Sequence, residues 1–251
     1  PHKDADDIAK LFSQNKNIGY AKINTHVVIN ESVTKNSLSG CRQFLSKAKS
    51  NDIVIIFYAG HGVLDKNFDY FLATHDIDFL NPNEKGIAYE ELEALLDGIA
   101  PLRKALFIDA CHSGELDKDD VVAITNDTED VDGIKFRTVG SAVKEKAIGV
   151  TKTNSLVREL FTDLRKGTGA TVISSAGGME FAQESGQWKN GLFTYCMLEG
   201  MRSKSADMNK DGTIMLSELQ QYVSSLVTKL SKGMQQPTSR FENDALDWII
   251  W

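Results

Sequence analysis

Ala105-Leu106-Phe107-Ile108-Asp109-Ala110-Cys111-His112-Ser113-Gly114 is an unbroken apolar run that ends in a cluster of reactive and small residues. Its counterpart, Ile53-Val54-Ile55-Ile56-Phe57-Tyr58-Ala59-Gly60-His61-Gly62, ends in a His-Gly pair. A strand buried on both faces loses the alternation of apolar and polar residues, so each run reads as a central strand of a parallel sheet. Reactive groups in open α/β sheets collect just beyond the carboxyl ends of such strands. A thiol and an imidazole delivered there side by side make a nucleophile–base pair.

The rest of the chain supplies the elements such a sheet needs. Helical spacing runs from Ala5 to Phe12 behind Asp4 or Asp6 as N-cap, and from Thr34 to Lys49 with Leu38, Cys41, Phe44, Leu45 and Ala48 inward. Tyr89–Leu96, Leu156–Leu164, Gly191–Met201 and Leu216–Leu230 also read as helices. Tyr20–Ile29, Tyr70–Ala73 and Thr171–Ser175 read as β, and Ala245–Trp251 as a final extended segment. Strands alternating with helices predict right-handed crossovers and a mainly parallel sheet, flanked by helices in a three-layer α/β/α arrangement. One catalytic domain over 1–251 suits the length.

Composition narrows the function. A net charge of −7 argues against a general nucleic-acid binder. No apolar run approaches the roughly 18 residues of a membrane span, and the charged opening Pro1-His2-Lys3-Asp4-Ala5-Asp6-Asp7 has no signal-peptide pattern. Cys41, Cys111 and Cys196 are too scattered for a disulfide framework, which suits a reducing, cytoplasmic setting and a working thiol.

In that chemistry Cys111 is the nucleophile, and His61 forms its thiolate and then protonates the leaving amine. The N–H groups of Gly62 and Cys111 are the candidate oxyanion donors. His112 is disfavoured as base, because consecutive residues on a strand point to opposite sides. Asp109 shares the strand face of Cys111 and is the candidate pocket acid for a substrate cation, with Asp4 or Asp6 as a second. A structural Asp that caps the following turn is the other reading of Asp109. Ser174, Ser175, Ala176 and Gly177, after the Thr171 strand, are expected to offer backbone to an extended substrate.

Two further stretches stand out. From 113 to 153 the periodic pattern fails: Glu115, Asp117, Asp119, Asp120, Asp127, Glu129, Asp130 and Asp132 crowd its first part, and Lys135, Arg137, Lys144, Lys146 and Lys152 its second. A long loop of this kind is functional or a solvated linker, and its basic residues are self-cleavage candidates for a protease selecting Arg or Lys. The stretch Asp207-Met208-Asn209-Lys210-Asp211-Gly212-Thr213-Ile214-Met215-Leu216-Ser217-Glu218 fits the EF-hand calcium loop, with Asp207, Asn209, Asp211, the Thr213 carbonyl and Glu218 as ligands. Met215 at position 9 departs from the template. The same residues equally suit a turn in which Glu218 caps the helix.

Phe57–Gly62 together with Asp109–Gly114, and with Asn190-Gly191-Leu192-Phe193-Thr194, resembles the caspase-like cysteine peptidases, in particular bacterial caspase homologues and metacaspases. The resemblance implies a caspase–haemoglobinase fold, a His61/Cys111 dyad with no third catalytic residue and no cofactor in the chemistry. It further implies cleavage of protein substrates after Arg or Lys, a zymogen processed within 113–153, and a role in bacterial stress, defence or cell-death signalling. The family begins with a central strand before the helix that starts here near Asp4, so an upstream domain or another chain is the expected source of that strand. A catalytically silent caspase-like scaffold is the alternative, and a clostripain- or legumain-type peptidase a third reading.

Overall fold

A computed structural model describes residues 1–14, 19–65, 67, 69–112, 134–136, 169–175, 183–185, 189–241 and 246–251. The helices among these are α1 (His2–Gln14), α2 (Ser37–Leu45), α3 (Pro82–Lys85), α4 (Tyr89–Glu93), α5 (Leu192–Arg202) and α6 (Leu216–Leu230). The strands are β1 (Ile53–Leu64), β2 (Tyr70–Leu72), β3 (Ile87–Ala88), β4 (Arg103–His112), β5 (Ile134–Phe136), β6 (Thr171–Ser174), β7 (Gln183–Ser185) and β8 (Thr238–Phe241).

Six strands form one sheet in the order β3-β2-β1-β4-β6-β8. Its centre is parallel, β1 against β4 and β4 against β6, and its flanks β2, β3 and β8 are antiparallel. The two apolar runs therefore lie next to each other: β4 is buried from Lys104 to Ala110, as its lack of alternation predicts, whereas most of β1 is half-buried.

The pleat sorts the core. Ala105, Phe107 and Ile173 pack with Ile8, Leu11 and Phe12 of α1, Phe193 and Met197 of α5, and Leu219 and Val223 of α6. Leu106, Ile108 and Val172 face the other way, onto Leu45, Tyr89, Leu92 and Leu96. Helix α6 shows why the sequence specifies this: Leu216, Leu219, Val223 and Val227 are buried along one stripe of the helix. Each such large side chain contributes roughly 1.5–3 kcal/mol by leaving water.

Two expectations need correction. Tyr20–Ile29 holds no strand, although Ile29 is extended at φ −138°, ψ 156°. Its β-branched residues suit a pleat, but no described strand pairs with it. Part of the supposedly patternless 113–153 stretch forms β5, which pairs antiparallel with β7. The final extended segment docks on the start of α6: Ile214 donates to Trp251 and accepts from Ile250 through backbone groups, at 2.6 and 2.8 Å. The Leu156–Leu164 helix lies outside the described residues.

On the side of β1 away from β4, β2 reaches Gly62, Val63 and Leu64. Among the described residues no strand pairs that edge from Ile53 to His61. A cleft of about 1870 Å³ runs along it, bounded by α1, α2 and residues 19–30 and lined by Ile55, Phe57 and His61 among others.

Candidate active site

β1 and β4 are in parallel register from Ile53↔Arg103 to Gly62↔His112. Within that ladder His61 is the partner of Cys111, and Ala59 of Asp109. Adjacent strands stand about 4.8 Å apart, so the backbone brings positions 61 and 111 together near the end of the β1–β4 ladder. The side chains of Cys111 and His112 lie outside the described residues. His61 is half-buried at the mouth of the cleft.

The position of His61 is held through its carbonyl. Ala73 donates its N–H to it at 2.9 Å, and the Tyr58 hydroxyl lies 2.9 Å from the same oxygen and 3.0 Å from the carbonyl of Ala73. Tyr58 reaches across Gly60 to do so. A Cβ at residue 60 would stand 2.3 Å from the Tyr58 oxygen, which is why the position takes glycine. The sequence signal was there: residues i and i+2 share a strand face, so an aromatic two positions before a glycine has room to fold over it.

Asp109 is fully enclosed, and its carboxylate accepts both the N–H and the hydroxyl of Thr194 in the first turn of α5. Asp4, also buried, accepts from the Gly191 N–H at 3.1 Å and from Asn190 Nδ2 at 2.9 Å. The two acids thus converge on one helix start, where orphan N–H groups and the positive end of the helix dipole favour negative charge. Burial pushes the Cys196 thiol up, and the Asp109 and Glu199 charges add to it. Asp7 joins through Asn190 at 3.0 Å. Burial pushes its carboxyl up, yet the Lys3 and Asn190 hydrogen bonds bring it to rest below the usual range. Asp6 points elsewhere and pairs with Lys10, so Asp4 is the second acid of the cluster. Asp109 does cap, but it caps α5 across the sheet rather than its own turn.

Ser174 and Ser175 do not offer backbone to a substrate. β6 is flanked by β4 and β8, with Ser174 opposite Ile108 and Thr238. Ser175 donates its N–H to Ile108 at 2.8 Å and accepts Gln235 Nε2 at 2.9 Å. Ala176 and Gly177 lie outside the described residues. Of the processing candidates, Lys135 falls in β5 opposite Glu184; Arg137, Lys144, Lys146 and Lys152 lie outside the described residues.

In the 207–218 loop the acidic oxygens serve the turn. Asp207 accepts from the N–H groups of Asp211 and Gly212, Asn209 from Asp211, and Asp211 from the N–H and hydroxyl of Thr213. Glu218 accepts from the N–H groups of Met208, Asn209 and Met215. Among the described residues no group of three or more His, Cys, Asp or Glu side chains is gathered to hold a metal ion. Nor is any described helix long and apolar enough to cross a membrane.

The sequence model described as the caspase domain matches residues 1–245. A crystal structure of a protein from Geobacter sulfurreducens is similar in fold, at a TM-score of 0.58 and 18% identity, over 95% of this chain and 82% of that one. No curated protein matches the sequence.

Proposed function

The chain belongs to the caspase-domain family of cysteine peptidases, and from that premise we propose that it is an endopeptidase cutting proteins after Arg or Lys with a His61/Cys111 dyad. The observation that carries this reading is the His61↔Cys111 register at the ends of the two central strands.

The chemistry follows from the residue types. His61 takes the Cys111 proton, and the thiolate attacks the scissile carbonyl. The N–H groups of Gly62 and Cys111 are the candidate oxyanion donors, a role that requires both to leave the β1–β4 ladder that engages them here. The imidazolium returns its proton to the leaving amine, and water then hydrolyses the acyl-enzyme with His61 as base. Basic specificity is supported by Asp4 and Asp109, two buried carboxylates at one helix start, since a guanidinium or ammonium is the natural partner of such charge.

The test is hydrolysis of fluorogenic peptides ending in Arg, Lys, Asp or Ala. The Arg and Lys peptides should be cleaved, and Cys111→Ala should abolish cleavage, by about 10³-fold or more. Cleavage of the Asp peptide alone would overturn the specificity. No cleavage together with no selective alkylation of Cys111 would favour the silent scaffold.

Three further parts belong to this reading. A zymogen processed within 113–153 is supported by the basic residues there, and incubating wild type beside Cys111→Ala tests it: identical fragment patterns end the idea. A strand supplied along β1 by an upstream segment or another chain is supported by the open edge and its cleft. Calcium in the 207–218 loop would require Glu218 to exchange its three N–H donors for the ion, so binding would be weak. Calorimetry showing no heat at millimolar calcium would remove it.

A further inference from the structure

Helix α1 carries Lys3, Asp4, Asp6 and Asp7 inside its first two turns. Asp6 pairs with Lys10. The other three charges are sorted by one side chain from elsewhere, Asn190, the residue before the Gly191 N-cap of α5. Asn190 Nδ2 donates to Asp4 Oδ1 at 2.9 Å and to Asp7 Oδ2 at 3.0 Å. Its oxygen, Oδ1, accepts from Lys3 Nζ at 3.2 Å, and Lys3 also pairs with Asp7. A side-chain amide offers two hydrogens and one carbonyl oxygen, so two carboxylates and an ammonium engage all of it. The amide turned the other way would set its oxygen against both carboxylates.

The result is a division of labour between two acids. Asp7 takes the lysine, its neighbour one turn away on the same helix face. Asp4 is held instead by neutral donors, Asn190 Nδ2 and the Gly191 N–H at 3.1 Å, both on Oδ1. Neutral donors orient a carboxylate without cancelling its charge, as the Thr194 N–H and hydroxyl do for Asp109 at the same helix start. The other oxygen of Asp4, Oδ2, meets the Pro1 ammonium at 3.3 Å, so that side of the carboxylate is the one a cation approaches.

We propose that Asn190 is a specificity-determining positioning residue: it turns Asp4 Oδ2 toward the cationic side chain of the substrate and keeps Lys3 on Asp7. This inference rests on the Arg/Lys reading above and names the residue that sets one of its two acids.

Two peptide aldehydes that differ only in their last side chain isolate this role. One ends in arginine and the other in citrulline, which has the same shape and no charge. With either, the Cys111 thiolate adds to the aldehyde carbon, the carbonyl π bond breaks, and the oxygen takes the proton held by His61. The covalent S–C bond keeps both affinities measurable. Asn190→Ala should raise the Ki of the arginine aldehyde and the KM of an Arg peptide about tenfold, the effect of one misplaced charge-assisted contact. Its kcat, its citrulline Ki and its rate of Cys111 alkylation by iodoacetamide should match wild type. A substitution that merely loosened the start of α5 would weaken both aldehydes together. Should Asn190→Ala fail to fold, Asp7→Ala, at a partly exposed position, decides through the same pair. It removes the acceptor of the second amide hydrogen and the partner of Lys3, so a few-fold rise in Ki is expected for arginine alone. Equal changes in both Ki values, or none, overturn the inference and leave the peptidase reading in place. A wild type that binds the two aldehydes equally overturns the basic specificity as well. One that cleaves no peptide and is alkylated without selectivity at Cys111 overturns the peptidase reading too.

Discussion

Asp109 combines two tasks that substitution can separate. Its oxygens satisfy the N–H and hydroxyl of Thr194 at the start of α5, and in the proposed reading its charge, with that of Asp4, which also meets the Pro1 ammonium at 3.3 Å, draws a basic substrate side chain. Asp109→Asn keeps an acceptor for Thr194 and removes the charge. Its unfolding midpoint in urea should stay close to wild type, while kcat/KM on an Arg peptide falls about tenfold or more, through the loss of a charge-assisted contact. Asp109→Ala removes both functions and leaves the Thr194 donors buried without an acceptor, so it should also cost about 1–3 kcal/mol of stability. Equal Arg-peptide kinetics for Asp109→Asn and wild type would reduce Asp109 to a cap. Tyr20 offers a second measurement. Burial pushes its phenol up from its ordinary 10.0 to about 12, and it donates to the Ile249 carbonyl at 2.7 Å. A folded pKa above the unfolded one means the neutral phenol is favoured by folding. Its contribution is complete below pH 10 and is lost as pH climbs from 10 through about 12. Urea midpoints across that window should fall less steeply for Tyr20→Phe than for wild type.

Between elements, the pairing of β8 with the rest depends on a buried charge. Arg240 on β8 meets Glu93 of α4, with side-chain exposures of 10% and 0%. Breaking such a pair from one side strands a charge away from water, so Arg240→Met should cost about 3–5 kcal/mol, whereas Glu93→Leu with Arg240→Met should lie near wild type. Denaturant midpoints of the two variants decide it, and equal losses in both would show that the partners act independently. The same pair shows what the sequence conceals. β1 and β4 were legible because their apolar runs lack alternation, and α1, α2, α5 and α6 because their stripes repeat at helical spacing. β8 is short and polar, and its anchor is 147 positions away in the chain, where no local pattern points. The adjacency of positions 61 and 111 was legible for the same reason as their strands: His61 and Cys111 close two readable runs. Tyr58, Thr194, Ser175 and Gln235 are ordinary residues whose roles come from distant carbonyls and a helix start, so spacing carried no trace of them. The 20–29 stretch failed in the opposite sense. Its β-branched side chains state a preference for a pleat, but a strand exists only when a neighbour completes its ladder.

That missing neighbour is a property of the whole sheet. β1 is an inner strand by its apolar sequence and by its place between β2 and β4, yet among the described residues most of its length is paired on one side only. Because His61 turns its carbonyl toward Ala73, the alternation of a strand directs the backbone groups of Ile55, Phe57 and Ala59 to that same side, along the cleft, and those of Ile56 and Tyr58 toward β4. An edge of this kind, apolar and unpaired, is a template for a further strand. The arrangement sets up an alternation in amide hydrogen exchange. In this chain by itself Ile55, Phe57 and Ala59 should exchange about 100-fold faster than Ile56 and Tyr58, since their N–H groups need no opening of the ladder to meet water. Supplying a strand that fits the cleft should slow the odd-numbered set and leave the even-numbered set unchanged. Equal protection of both sets in the chain alone would mean that the edge is already covered in solution, and the sheet would then need no added strand to hold His61 beside its partner position.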